Sequence, residues 1–441
     1  MALGRGYALP FVAGKQGAGG GGGAYGLLWQ DAVNDNVPPL TLEDGNAGQG
    51  SCLFTRGKDL YDKQVSATPS LLIVPQMYGS GKLAVDIPSP EFFNVTRATT
   101  ATRVNSSGLI ESVASGVPRL DWLASGGVTG CPALLVEPAA TNLVLQSRDL
   151  SVSGSWTASG ITAVRNATGA DGTASGACTL TSTAADATIV QNLSHASQSR
   201  IFSASIRRVS GSGGIELTTN GGTNWTAVTI TTAFTRVACD ARTVASGQVG
   251  IRMKQSDEVI EVDFTQGEVG PVATSPIPTT TGSASRNADQ ITASGSVVSG
   301  LIGQTEGTLY FEFQASPSGA SSNWINISDG TENNWMFIGK DSDKCRAYIR
   351  ANNVVIFTPQ TFVLTNSAIK AALAYKSGDY ALYINGTLNA SGTTAFTFSA
   401  ALTSIQSGFF TPQASNEISR YRAIALYTTR LSNDQLATLT S

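Results

Sequence analysis

The sequence predicts an all-β protein in which an extended N-terminal arm precedes two antiparallel β-sandwich (jelly-roll) modules. Three observations predict it. Ser, Thr, Asn and 47 glycines take the place of charged residues, which are only 13% of the chain, and this favours short strands and tight turns over helices. Apolar and polar residues alternate with period two over the last two thirds. Gly-Gly, Ser-Gly and Asn-Gly pairs punctuate those runs. At 441 residues the chain has room for roughly three units, each able to bury a core.

Residues 1–66 have the least regular pattern and include the five-glycine run Gly19–Gly23. Composition alone reads as a linker or tail. Ordering such a run costs much entropy, which docking into neighbouring subunits would offset, so the segment reads as an attachment arm. Residues 67–145 form a short-strand connector, with Ser70-Leu-Leu-Ile-Val-Pro75 and Lys82-Leu-Ala-Val-Asp-Ile-Pro88 as strands ended by proline.

Residues 146–289 read as the first sandwich. In Arg200–Arg207, Phe202, Ala204 and Ile206 share one face and Ser203 and Ser205 the other, and Thr226–Thr231 and Val259–Phe264 repeat the alternation. Residues 290–441 read as the second. Thr308–Phe313 is a strand, Ala371–Tyr375 turns into Tyr380–Ile384, and Asn385-Gly386 supplies a type I′ turn before Thr387–Ala390. Tyr421–Tyr427 is a late strand, and Ser432-Asn-Asp-Gln435 is a capping box opening a short helix through Leu439.

A net charge of −3 with no local basic run excludes a nucleic-acid footprint. The longest apolar stretch, Leu71–Pro75, is far too short to span a membrane, and no signal-type segment opens the chain, so a soluble protein without membrane insertion or export signal is expected. Five scattered cysteines (Cys52, Cys131, Cys178, Cys239, Cys345) indicate neither a disulfide framework nor zinc. Pairing of Cys178 with Cys239, which share a module, stays open. Gly79-Ser-Gly-Lys82 lacks the first glycine and the Ser/Thr of a phosphate loop.

Three stretches carry a resemblance. The first is Asn94-Val-Thr-Arg-Ala-Thr through Asn105-Ser-Ser-Gly-Leu-Ile-Glu111, followed by Pro118-Arg-Leu-Asp121 and Leu134-Leu-Val-Glu-Pro138. The second is Thr274-Ser-Pro-Ile-Pro running to Ser283-Ala-Ser-Arg-Asn-Ala-Asp289. The third is Tyr375–Gly386 with Tyr421–Tyr427 and Leu431–Leu436. Together they resemble bacteriophage virion appendage proteins (tail fibres, spikes, head fibres) that join a carbohydrate-binding-like jelly roll to a concanavalin-like, laminin-G-type domain. The resemblance implies a structural protein of the particle, assembled in host cytoplasm and displayed on the virion surface. It implies a homotrimer, contact with other virion proteins through residues 1–66, and host-surface glycan as ligand. A decoration protein that binds no receptor is the alternative, and a polysaccharide depolymerase a more distant one, because these folds serve many functions.

No enzyme is expected. The single histidine, His195, lies in a polar stretch without a nearby partner for nucleophilic catalysis. Glu261 and Asp263 share a strand face as glycosidase carboxylates do, but the third carboxylate of that pattern is missing. No cofactor is expected. Asp341 and Asp343, with Asp329, are weak hard-oxygen candidates for calcium, because their spacing matches no defined calcium loop and turn formation explains them better. For sugar recognition, Trp225 with Asn224, Trp324 and Trp335 are the aromatic and amide side chains set in Asn-rich turns, and each tryptophan reads equally as a core side chain.

Overall fold

The computed structural model describes residues 26–27, 40–41, 67, 69–73, 78–79, 82–84, 91–122, 132–193, 196–315, 322–365, 367–408 and 418–441. Ser80 and Gly81 of the phosphate-loop-like tetrapeptide, Cys52, Cys131 and His195 therefore lie outside the described residues, and so does the proposed arm apart from two short strand segments.

The protein is all-β, built from antiparallel sheets stacked as two sandwiches. In the first, one sheet runs Thr157–Ser159, Ala187–Asn192, Gln248–Met253, Ile215–Thr218, Thr226–Val228. The facing sheet runs Ile161–Ala167, Ala177–Ser182, Val259–Val269, Gln198–Ser210, Thr235–Ala238, with Arg242–Val244 also on Gln198–Ser210. Phe202, Ala204 and Ile206 meet Ile189, Leu217 and Ile251 in the core between them, as alternation requires.

Ser203 and Ser205 are buried too. Part of the outer face of their sheet is covered, by the segment that follows Val259–Val269 and by a hairpin from outside the sandwich. Glu268 on that face accepts from the Thr274 amide at 2.8 Å, and Phe264 packs with Ala170 and with Ile110 of the hairpin Ala101–Val104/Ile110–Val113.

The connector does not stand alone. Leu71–Ile73 and Ala133–Val136 both pair with Ser419–Tyr427, and Glu91–Thr96 pairs with Gln290–Ser294, so its strands complete the two sheets of the C-terminal sandwich. The chain leaves that sandwich at Ala140–Asn142 and returns at Ala284–Arg286, and these two segments pair with each other. The first sandwich is thus an insertion within the second, whose core joins Leu71 and Val136 to Phe311, Ile338 and Leu426. Asn385 (φ 47°) and Gly386 (φ 80°) form the expected two-residue turn. Asn433–Thr440 is the expected helix, its Ser432/Gln435 capping box complete. A second helix, Ser296–Leu301, has no side-chain cap and too short a pattern to be read from sequence.

Candidate functional site

The outer face of the five-stranded sheet is built around Trp225. The hairpin Ile215–Thr218/Thr226–Val228 places Leu217 in the core and Glu216 outside. Its loop is fixed by its own polar groups: Thr218 Oγ1 donates to Asn224 O at 2.7 Å, and the Asn224 amide donates to Asn220 Oδ1 at 3.1 Å. Gly221 and Gly222 both have positive φ, and a Cβ on Gly221 would collide with Gln248 Oε1. Asn224 therefore acts through its backbone in shaping the loop that presents Trp225.

Trp225 is half-buried, with the Arg252 guanidinium 4.6 Å from its ring centroid. That spacing is a cation–π contact. Arg252 is held in turn by Glu216, its cross-strand neighbour. Beside Arg252 on the same face lie Gly250, buried under its cross-strand neighbour Val190, and then Gln248, whose Nε2 donates to Asn192 Oδ1 at 2.9 Å. The result is a shallow polar face edged by one indole.

Trp324 and Trp335 are placed differently. Both are buried, 5% and 7% exposed, in a cluster with Phe337 and Tyr348 on the outer side of the larger sheet of the second sandwich. Trp324 stacks on Phe337 at 4.4 Å, and Arg346 lies 5.3 Å from the Tyr348 ring. Side chains so enclosed present no ring face to a sugar, so their turns end in packing and not in display. The three aspartates bend chain: Asp329 accepts from the Thr331 amide and Asn334 Nδ2, Asp341 pairs with Arg346, and Asp343 sits in the turn between Trp335–Asp341 and Lys344–Ala351. Among the described residues no three His, Cys, Asp or Glu side chains gather as metal ligands.

Glu261 and Asp263 do share a strand face, and each is taken by an arginine. Glu261 pairs with Arg207. Asp263, fully buried, receives Arg148 Nε at 2.8 Å and the Ala170 amide at 2.9 Å. The next residue, Phe264, has φ 47° at a bulge in the ladder. Near Arg148 a cleft of about 470 Å³ opens between Gln146, Asp149, Arg165 and Thr280.

The most extensive polar constellation escaped the sequence reading. At the stem of the inserted sandwich, Arg97 and Arg119 both bind Asp289, and Arg119 and Arg286 both bind Glu137, all five side chains essentially without solvent exposure. Ser275 Oγ joins them, donating to Glu137 and accepting from Arg119 and Arg286. Burial alone would raise the Glu137 carboxyl, but Arg286, Arg119 and Ser275 outweigh it and hold it down to about 2. Glu268, nearby in the first sandwich, goes the other way: burial raises it despite hydrogen bonds from Thr274 and Gln266. The available signal was the recurrence of Arg, Asp and Glu in the motif stretches of a charge-poor chain. These motif charges build a joint. Cys178, Cys239 and Cys345 are free and buried, and Cys178 and Cys239 do not pair.

No protein-family profile matches the chain. No curated protein matches it in sequence. Among solved structures it is similar to the CBM40 module of a Ruminococcus gnavus IT-sialidase, with 17% identity over 31% of this chain and 84% of that one, at a TM-score of 0.28. It is similar also to the binding domain of botulinum neurotoxin serotype D, with 16% identity over 34% of this chain and 39% of that one, at 0.29. A botulinum neurotoxin type C structure titled for interaction with two ganglioside molecules gives 13% identity, 35% and 39% coverage and 0.29. The chain thus spans well under half of the toxin chains it resembles. Likeness at this level carries no argument, and the fold class rests on the sheets themselves.

Proposed function

We propose that the chain is a non-enzymatic adhesion subunit of a bacteriophage particle, a fibre or spike protein displayed on the virion, whose inserted sandwich binds host-surface glycan on the Trp225 face. The particle role is supported by the ordered motifs around Arg97, Arg119, Glu137 and Asp289, and attachment is assigned to residues 1–66. The glycan role is carried by one observation: Trp225 alone of the three candidate tryptophans is not buried, and it is braced by the Arg252 guanidinium. An indole edge with planar amide and guanidinium groups suits a pyranose ring, which offers an apolar face and a rim of hydroxyls.

The test is binding of the full chain to host cell-surface polysaccharide. Trp225→Ala should lower affinity roughly tenfold or more while leaving the melting temperature in place, the loss expected of an anchoring aromatic. Equal binding by both proteins would reject the site.

A second reading, a decoration protein without a receptor, draws support from the burial of Trp324 and Trp335. It predicts no binding to any host polysaccharide. A depolymerase would instead release reducing ends and lose that activity in Glu261→Gln, an outcome disfavoured by the ion pair Glu261 makes with Arg207.

A further inference from the structure

Ladder register sets out the Trp225 face row by row. Ile189, Leu217 and Ile251 lie in the core, so the residues that alternate with them point outward. One outward row runs Glu216, Arg252, Thr188, Ser159. The row beside it runs Thr218, Gly250, Val190, Thr157, and Trp225, one residue before Thr226, stands at its end.

Charge on these rows is confined to one corner, and there it is balanced. Glu216 and Arg252 pair across the ladder at 2.5 Å, and Asp186 and Lys254, at the neighbouring end of the same two strands, pair with each other. Arg252 also lies 3.9 Å from Asp186, so two cations and two carboxylates close one network. Beside the Trp225 hairpin, Asp240 accepts from Thr226 Oγ1 at 3.2 Å and stands 3.6 Å from Arg242. Each of these three cations already faces a carboxylate. What remains for a ligand is uncharged: the exposed hydroxyls of Thr157 and Ser159, the half-buried one of Thr188, and the joined amides of Gln248 and Asn192.

We infer that the ligand of the Trp225 face is an uncharged glycan, built of neutral hexose or N-acetylhexosamine units and free of uronate, sialyl and phosphate groups; this rests on the glycan reading above. A carboxylate arriving at Arg252 meets Glu216 and Asp186 already in place. It must displace one of them, which leaves that carboxylate without its cation, or sit against both. Sugar hydroxyls meet no such cost, because each both donates and accepts and so matches the hydroxyls and amides of the rows. The indole adds an uncharged platform for the apolar face of a sugar ring.

The experiment probes a glycan array with the full chain, using matched oligosaccharides with and without an acidic unit, at about 0.05 M and about 0.5 M NaCl. The neutral member of a matched pair should bind roughly tenfold or more tightly than its acidic partner, with less than about a twofold change between the two salt concentrations. Glu216→Gln frees Arg252 from its cross-strand carboxylate and should raise affinity for the acidic member several-fold at the lower salt. Equal or tighter binding of acidic members by the wild type would overturn the inference, and so would a folded Glu216→Gln chain that gains nothing for them. Either result leaves the glycan reading standing wherever Trp225→Ala still removes the binding. Binding of neither class rejects that reading and this inference with it. Should Glu216→Gln unfold, the wild-type comparison of matched pairs decides alone.

Discussion

Glu137 is a fully buried carboxylate facing Arg119 and Arg286, in a chain that otherwise spends few charges. Burying such a group is costly unless its partners are in place, and removing one leaves the others uncompensated. Glu137→Gln should therefore destabilise the protein by about 3–5 kcal/mol in denaturant melts. Because its folded value is lowered to about 2, its contribution is fully present above the unfolded value of ~4.3 and is lost as pH falls through that window. The wild type should lose stability across that interval more steeply than the variant, and parallel curves would show that Glu137 is not the titrating group. The thiols carry the opposite sign. Burial pushes Cys178 and Cys239 up to about 11 and Cys345 up to about 12. Their contribution is present below the unfolded value of ~8.5 and fades as pH rises through the folded values. At about pH 8 these three should resist iodoacetamide in the native protein and react once it is unfolded, as read by peptide mass spectrometry. Ready native labelling of Cys345 would contradict its burial.

At the scale of elements, turns and caps were the most legible features because their chemistry is local. Asn385-Gly386 demands two residues of positive φ, and only a narrow set of residues accepts that backbone. Gly386→Val should cost about 1–2 kcal/mol through the left-handed conformation alone, measured as a shift in the denaturation midpoint with the slope unchanged. A neutral result would mean that the hairpin relaxes to another turn. The serines of Gln198–Ser210 show the limit of pattern reading. Alternation marks Phe202, Ala204 and Ile206 as core, but it cannot reveal that Ser203 and Ser205 are buried as well, because what lies against the outer face, such as Arg236 opposite Ser205, is set by strand pairing. The tryptophans divide the same way. Trp225, Trp324 and Trp335 share an Asn-rich context, yet what packs against each ring decides its exposure: Trp335 stands beside Tyr348 and Phe337, whereas Trp225 stands beside Arg252.

For the whole molecule, the insertion of one sandwich into the other predicts how the chain can be divided. A fragment of residues 290–441 lacks Leu71–Ile73, Glu91–Thr96 and Ala133–Val136, which fill the edges and part of the core of its sheets. It should show no cooperative melting transition, whereas residues 67–441 should melt cooperatively. Independent two-state folding of the shorter fragment would show that these strands are dispensable. The buried joint of Arg97, Arg119, Glu137, Arg286 and Asp289 sits where the inserted sandwich leaves and re-enters its host. Its five charges specify one seating of the two bodies, since any other leaves a charge unpaired out of water.

By itself the sequence determined the all-β class, the main strands of both sandwiches, the Asn385-Gly386 turn and the Ser432 cap, because period, φ preference and capping are written within a few neighbouring residues. The tertiary structure alone decided that the connector completes the second sandwich, that the motif arginines and carboxylates meet in one buried joint, and that Trp225 is half-buried where Trp324 and Trp335 are enclosed. Those outcomes depend on pairings across as many as 356 residues, as between Ser70 and Leu426, and burial follows from what packs against a side chain, not from the residues beside it in sequence.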